Sequence, residues 1–363
     1  VPFLFGSCSP DGAWDVVSAP PTPKTSYRIP VTFDRIAQST SLTNFPVLVR
    51  LEAGTFPYKL CRADGLDVRF RADDGTTALA FEREKWEAAG RSDFWVKLPS
   101  LAASPATTKI WIYFGDGDSV DESKASAVWT NGYLAVLHGN YSIDPSTLTK
   151  TFIDATGANN PALPGLYSAP ADLGASSPVG NSGFIFGNTI KDGIKFPAAP
   201  ALDDLGPFTF ETWMRDGGSV AGSIIFNQGP DFNLSVLGAG SLRFQVGYSA
   251  TALQCDSPAT YFATGGWDQL ALSWDGASGV AMYSNGTAVA ATVTGPSGTR
   301  TSDAATDLII GNIAAPPIQS APKADFDEIR ISNVVRSPDW IAAQHLSQLG
   351  TNLDFGPRET IAP

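Results

Sequence analysis

Short runs in which apolar and polar residues alternate, each closed by Gly, Asp or Asn, recur from Tyr27 almost to the end of the chain. A period of two marks a half-buried strand, and turn residues every ten or so positions leave no room for long helices. Tyr27–Phe33, Phe45–Leu51, Leu66–Arg71, Leu79–Trp86, Asp93–Leu98 and Lys109–Phe114 form a first set of strands. Phe45–Leu51 is apolar enough to be expected at the centre of a sheet. Asp73-Asp74-Gly75 and Gly115-Asp116-Gly117-Asp118 supply turn chemistry. This first set predicts a small antiparallel β-sandwich over 27–118, preceded by an extended N-terminal arm over 1–26 that contains the proline-rich run Ser18–Pro23.

Residues 119–130 read as a connector. A second strand system begins at Tyr133–His138 and crosses a loop-rich stretch, 140–195. It continues through Phe208–Met214, Ser223–Phe226, Leu242–Val246, Asp268–Trp274, Val280–Tyr283, Asp307–Gly311 and Asp325–Ile331. Asp275-Gly276 and Asn285-Gly286 are hairpin-type turns. Ser337 and Pro338 announce one short helix, as N-cap and first helical residue. The expectation is an all-β chain whose second domain spans 131–357, with a tail at 358–363, each domain burying its own apolar faces.

With 24 basic and 36 acidic residues the net charge is −12, which repels phosphate backbones and argues against a nucleic-acid partner. No apolar stretch reaches the ~18 residues of a membrane-spanning helix. The three cysteines, Cys8, Cys61 and Cys255, include no Cys-x-x-Cys pair and so give no zinc motif. Cys8–Cys61 is the disulfide to test first, since it would tie the arm to the first domain. The opening Val1–Cys8 reads either as the remnant of a signal or lipoprotein-type segment or, the reading preferred, as an apolar arm.

Phe208-Thr-Phe-Glu-Thr-Trp213, Trp267–Gly276, Met282-Tyr-Ser-Asn-Gly286, Leu308–Gly311, Phe326–Asn333 and Arg336–Trp340 carry a resemblance, in order and spacing, to the laminin-G-like (concanavalin A-like) jelly roll. Tyr27–Phe33, Asn44–Leu51, Asp64–Phe70 and Ile110–Gly115 resemble the β domain of unknown function DUF2341, which often precedes such a jelly roll. The pairing implies an extracellular, cell-surface or periplasmic protein. It defines architecture better than function, because the jelly roll serves lectins, adhesins, enzymes and spacers.

The resemblance also implies a Ca²⁺ site, at Asp154 and Asp327 with Asn159 assisting; the alternative is that both aspartates cap local backbone. For a glycan, Tyr141, Tyr167 and Tyr261 on expected loops are the candidate stacking residues, while Trp213, Trp267, Trp274 and Tyr283 on strands read as core. Glu82 and Glu84 share a strand face as a glycosidase pair would, but Arg83 and Lys85 make that strand read as solvated and charged. Glu211 lacks an acidic partner two residues on. His138 is placed at the end of an apolar strand, and His345 near a helix C-terminus, where a cation suits the dipole.

The sequence therefore favours a non-catalytic recognition or adhesion module that binds a glycan or a surface protein. The second reading is a structural subunit of a fibre or filament, a homo-oligomer joined through residues 1–20. The third is a glycan-active enzyme.

Overall fold

The alternating segments do become strands, but the two domains do not close separately. The protein is described by a computed structural model over residues 26–36, 38–118, 120–147, 150–158, 171–172, 177–180, 182–187, 193–229, 232–238, 240–313, 321–351 and 353–361. The first domain contains β1 (Ser26–Phe33), β2 (Leu42–Glu52), β3 (Arg69–Ala72), β4 (Phe81–Lys85), β5 (Arg91–Leu101) and β6 (Thr108–Phe114), followed by one helical turn, α1 (Ala125–Val128). The jelly roll contains β7 (Tyr133–Ile143), β8 (Lys150–Asp154), β9 (Ala171–Asp172), β10 (Phe184–Gly187), β11 (Ile194–Phe196), β12 (Phe208–Asp216), β13 (Ile224–Gln228) and β14 (Phe232–Gly238). It continues with β15 (Ser241–Val246), β16 (Leu253–Asp256), β17 (Trp267–Trp274), β18 (Val280–Ser284), β19 (Thr287–Val289), β20 (Thr292–Thr294), β21 (Leu308–Ile310) and β22 (Lys323–Ser332). Helix α2 (Pro338–Gln348) and the short strands β23 (Leu353–Phe355) and β24 (Glu359–Ile361) end the chain.

Among the described residues the jelly roll is a nine-stranded sheet facing a seven-stranded one, ordered β11-β21-β13-β14-β15-β16-β20. Phe208, Phe210 and Met214 of β12 alternate inward with Leu270, Leu272 and Trp274 of β17, and meet Phe226, Phe232 and Phe244 from the opposite sheet. Glu211 and Trp213 fall on the outer face of β12. Asn285 and Gly286, both at positive φ, make the tight β18–β19 turn that the sequence promises. Asp275-Gly276 instead lies in a longer loop closed by Asp275 N–H donating to Gly279 O (2.9 Å).

The first domain pairs a three-stranded sheet, β2-β5-β4, with a sheet ordered β23-β1-β6-β3. Here one boundary and one strand position are corrected. Residues 353–361 belong to neither the jelly roll nor a tail: β23 and β24 lie in tandem along one edge of β1 and complete the first domain. Pro30, which has no N–H, falls at the break between them, and its carbonyl accepts from Gly356 N (2.9 Å). Strand β2 is also not central. It is an edge strand, and α2 covers its free edge: Leu48 N–H donates to Ser347 Oγ (2.7 Å) and Gln344 Nε2 donates to Pro46 O (2.8 Å). Phe45–Val49 reads as a continuous apolar run because both faces of β2 are buried.

The jelly roll's outer face packs on the first domain and α2. Val136, Ala271, Tyr283, Trp340 and Ile341 join Phe45, Trp95 and Trp129 in one continuous apolar core. The expectation of two self-sufficient stacks is thereby overturned: a helix and two strands from after the jelly roll return to build the first domain.

Candidate functional site

Polar groups in this shared core come from three strands and owe their placement to two irregularities. In β22, Glu328 adopts positive φ (53°), opposite a register shift between Glu211 and Trp213 of β12. The extra residue lets Asp327, Glu328 and Arg330 all face outward while Phe326, Ile329 and Ile331 stay in the jelly-roll core. A second shift, between Arg83 and Lys85, bulges β4 at Glu84. The outward-facing groups of β4, β7 and β22 meet there, among them Glu82, Glu84, His138, Glu328 and Arg330, all buried.

His138 lies in the middle of β7, not at the end of a strand. Its Nδ1 is 2.6 Å from Glu328 Oε1 and 3.7 Å from Glu84 Oε2, and its Nε2 is 3.3 Å from Glu82 Oε2. Trp95 Nε1 donates to Glu84 Oε2 (2.7 Å) and Trp129 Nε1 to Glu82 Oε2 (2.6 Å). The Arg330 guanidinium lies 4.4 and 4.8 Å from the Trp95 and Trp129 rings, pairs with Glu328 and donates to Gln344 Oε1 (2.7 Å). The solvated charged strand expected at 82–85 is therefore corrected for its two glutamates, which are sealed under the jelly roll.

Burial opposes charge on His138, but the carboxylates of Glu328, Glu82 and Glu84 outweigh it and hold the imidazole well above its usual value. Burial pushes Glu84 up, reinforced by Glu328 and Asp327 against the pull of His138. For Glu328 burial is overcome by His138 and Arg330, so its carboxyl sits below the ordinary range. Glu211 is also buried, and burial raises it although Arg330 and Arg336 pull it down. Ionisable groups thus do converge, contrary to expectation, but within packed core, where a polysaccharide has no access.

Both aspartates expected at a calcium site accept hydrogen bonds from the chain itself. Asp327 is wholly buried and accepts from Ser177 Oγ (2.6 Å), Val179 N (3.1 Å) and Glu328 N (2.8 Å). Asp154 accepts from Val136 N (3.0 Å), Thr156 N (3.0 Å) and Thr156 Oγ1 (2.7 Å), the turn-capping alternative. A Ca²⁺ ion needs six to eight open oxygens. Asn159 and Tyr167 lie outside the described residues, as do Cys8 and the arm over 1–20. Cys61 is half-buried, and burial pushes its thiol up.

Tyr261 is corrected from loop contact to core: it is 2% exposed and its hydroxyl donates to Ala271 O (2.9 Å). Tyr141 stands on β7 rather than a loop, edge-on to Phe152, with Lys150 Nζ 4.2 Å over its ring. Trp213, Trp274 and Tyr283 are buried, whereas Trp267 is half-buried under Arg215, 5.0 Å away. At the helix end, burial lowers the pKa of His345, Asp268 only partly opposing, and its ring lies 5.6 Å from that of Trp213.

No motif in the chain marks the open groove of about 430 Å³ where β10, β12 and β22 end, lined by Ile185, Arg215, Asp216, Gly265, Lys323 and Asp325. Arg215 pairs with Asp325 (2.5 Å), and Asp216 is held by Ser219 N (2.8 Å), Gly218 N and Thr264 Oγ1 (both 3.1 Å). That volume lies within the ~300–1,000 Å³ of small-ligand sites.

The class defined by this architecture is a β-sandwich protein with a concanavalin A-like jelly roll. Residues 186–342 match the family model described as the concanavalin A-like lectin/glucanases superfamily, and residues 64–145 match the domain of unknown function DUF2341. A comparison with curated proteins finds no match. Among solved structures, the binding domain of Paraclostridial Mosquitocidal Protein 1 aligns at 10% identity and TM-score 0.44, over 58% of this chain and 51% of that one. Domain 4 of an extracellular arabinanase from Geobacillus stearothermophilus, in complex with arabinotriose, aligns at 19% identity and TM-score 0.41, over 59% of this chain and 98% of that one. The chain spans about half the length of the first of these.

Proposed function

We propose that this chain is a non-catalytic, extracytoplasmic recognition module that binds a glycan through the groove at the ends of β10, β12 and β22. The observation that carries the reading is the separation of two environments. Glu82 and Glu84, the pair spaced for glycosidic chemistry, are sealed in the core; the open groove offers polar groups on Arg215 and Lys323, while its own carboxylates are engaged, Asp325 by Arg215 and Asp216 by Ser219 N, Gly218 N and Thr264 Oγ1. Half-buried Trp267 lies beneath Arg215 and braces its guanidinium at the groove's edge. The match to a superfamily of lectins and glucanases supports a glycan as the ligand class.

A glycan array probed with the whole chain tests this. The reading expects a restricted set of bound glycans, with affinity falling at least ~10-fold in Trp267→Ala and Arg215→Ala, the loss of one good contact. No bound glycan, or binding indifferent to both substitutions, contradicts it.

A further inference from the structure

We infer that Glu84, His138 and Glu328 form a buried structural site for a divalent transition-metal cation, zinc in the first instance, that fastens the first domain to the jelly roll. One ligand atom from each of the three residues lies within 4.8 Å of the others. The residues come from three strands, β4, β7 and β22, and from both domains, so one ion would crosslink segments far apart in sequence.

One unpartnered atom points the same way. Glu84 Oε1 is buried and makes no hydrogen bond. An orphaned polar atom in a packed core costs roughly 1–3 kcal/mol, so the site implies a missing occupant. With Nδ1 on the ion, Glu84 can bind through both oxygens and Glu328 through Oε1, giving a nitrogen-and-oxygen set of the kind zinc accepts. Nε2–H then faces Glu82 Oε2 at 3.3 Å, the carboxylate–imidazole support that metal-bound histidines use. Trp95 Nε1 and Arg330 hold the two ligand carboxylates from behind.

Charge agrees with this arrangement. Four buried carboxylates, Glu82, Glu84, Asp327 and Glu328, gather around His138, and Arg330 pairs with one of them. A divalent cation offsets negative charge that protons must otherwise neutralise. Two spacings must adjust to the ~3.3 Å that separates ligands on a tetrahedral ion: the 2.6 Å between Nδ1 and Glu328 Oε1 must open, and the 3.7 Å between Nδ1 and Glu84 Oε2 must close.

The test is metal content and thermal unfolding of the whole chain, produced in zinc-supplemented medium and, in parallel, unfolded with chelator and refolded with or without Zn²⁺. The inference expects about one equivalent of zinc. It also expects a higher Tm with zinc, X-ray absorption showing one imidazole nitrogen with carboxylate oxygens at ~2.0–2.2 Å, and a metal content below a tenth in both His138→Gln and Glu84→Gln. If His138→Gln does not fold, Glu84→Gln alone decides. A wild-type chain carrying no metal under every condition, with Tm indifferent to Zn²⁺, overturns the site. So does zinc retained by Glu84→Gln, or absorption showing sulfur or oxygen-only ligands.

Discussion

Arg330 is the residue on which the shared core turns. Its guanidinium sits against two tryptophans of the first domain while its ion pair is with Glu328 of its own strand. Arg330→Ala takes from buried Glu328 one of its two cationic partners, leaving His138, and we expect a loss of ~3–5 kcal/mol in denaturant unfolding. Gly180 is the companion case. It sits at φ +61°, and a Cβ there would lie 1.7 Å from Glu84 Oε1. Gly180→Ala should therefore cost more than the ~1–2 kcal/mol of left-handed backbone strain alone, and a shift no larger than that would show that Glu84 yields easily. His345 sets a pH dependence. Its folded value lies below the ordinary ~6.5, so the stability linked to it is present above that pH and is lost as pH falls through the folded value. Wild type should lose stability below pH ~6.5 more steeply than His345→Leu, read as midpoint denaturant concentration against pH. The sequence put Glu82 and Glu84 on one strand face, read as solvated, and His138 at a strand end, and could not bring the two strands to Glu328. The bulge at Glu328 turns outward a residue that strict alternation would put on the face of Phe326, and no glycine there announces the turn.

Elements show the same division between local and long-range information. Strand β12, the Asn285-Gly286 hairpin and the Ser337-capped helix follow from periodicity and turn chemistry alone, and all stand where the sequence puts them. Ser337 Oγ accepts from Trp340 N, as a cap does. The role of α2 was not legible. Its buried set includes Gln344, Ser347 and Gln348, polar residues that look solvent-facing until an unpaired strand edge needs them. Ser347→Ala removes the acceptor of Leu48 N–H and should cost about 1–3 kcal/mol, the penalty for an unsatisfied buried donor. A chain ending at residue 352 would lose β23 and β24 and bare one edge of β1. Amide exchange in β1 and β6 should then rise, while β13–β15, on the far sheet of the jelly roll, should stay protected; protection unchanged in β1 would deny the two strands a stabilising part.

At the scale of the molecule, the family pairing and all-β class were readable because each domain carries its own motifs. Their fusion was not readable, because the residues that join them, Phe45 with Trp340 and Asp93 with Gly180, are hundreds or tens of positions apart. Arg50 and Arg91 each pair with buried Asp93 and each donate to Pro178 O, so polar contacts continue the apolar seam. The proposed recognition groove thus belongs to a jelly roll whose outer face packs on the first domain. Differential scanning calorimetry of the whole chain tests the shared core most directly. One transition, with calorimetric and van't Hoff enthalpies equal, is the predicted result, and Arg330→Ala should shift that single peak to lower temperature. Two resolved transitions, of which Arg330→Ala moves only one, would contradict it.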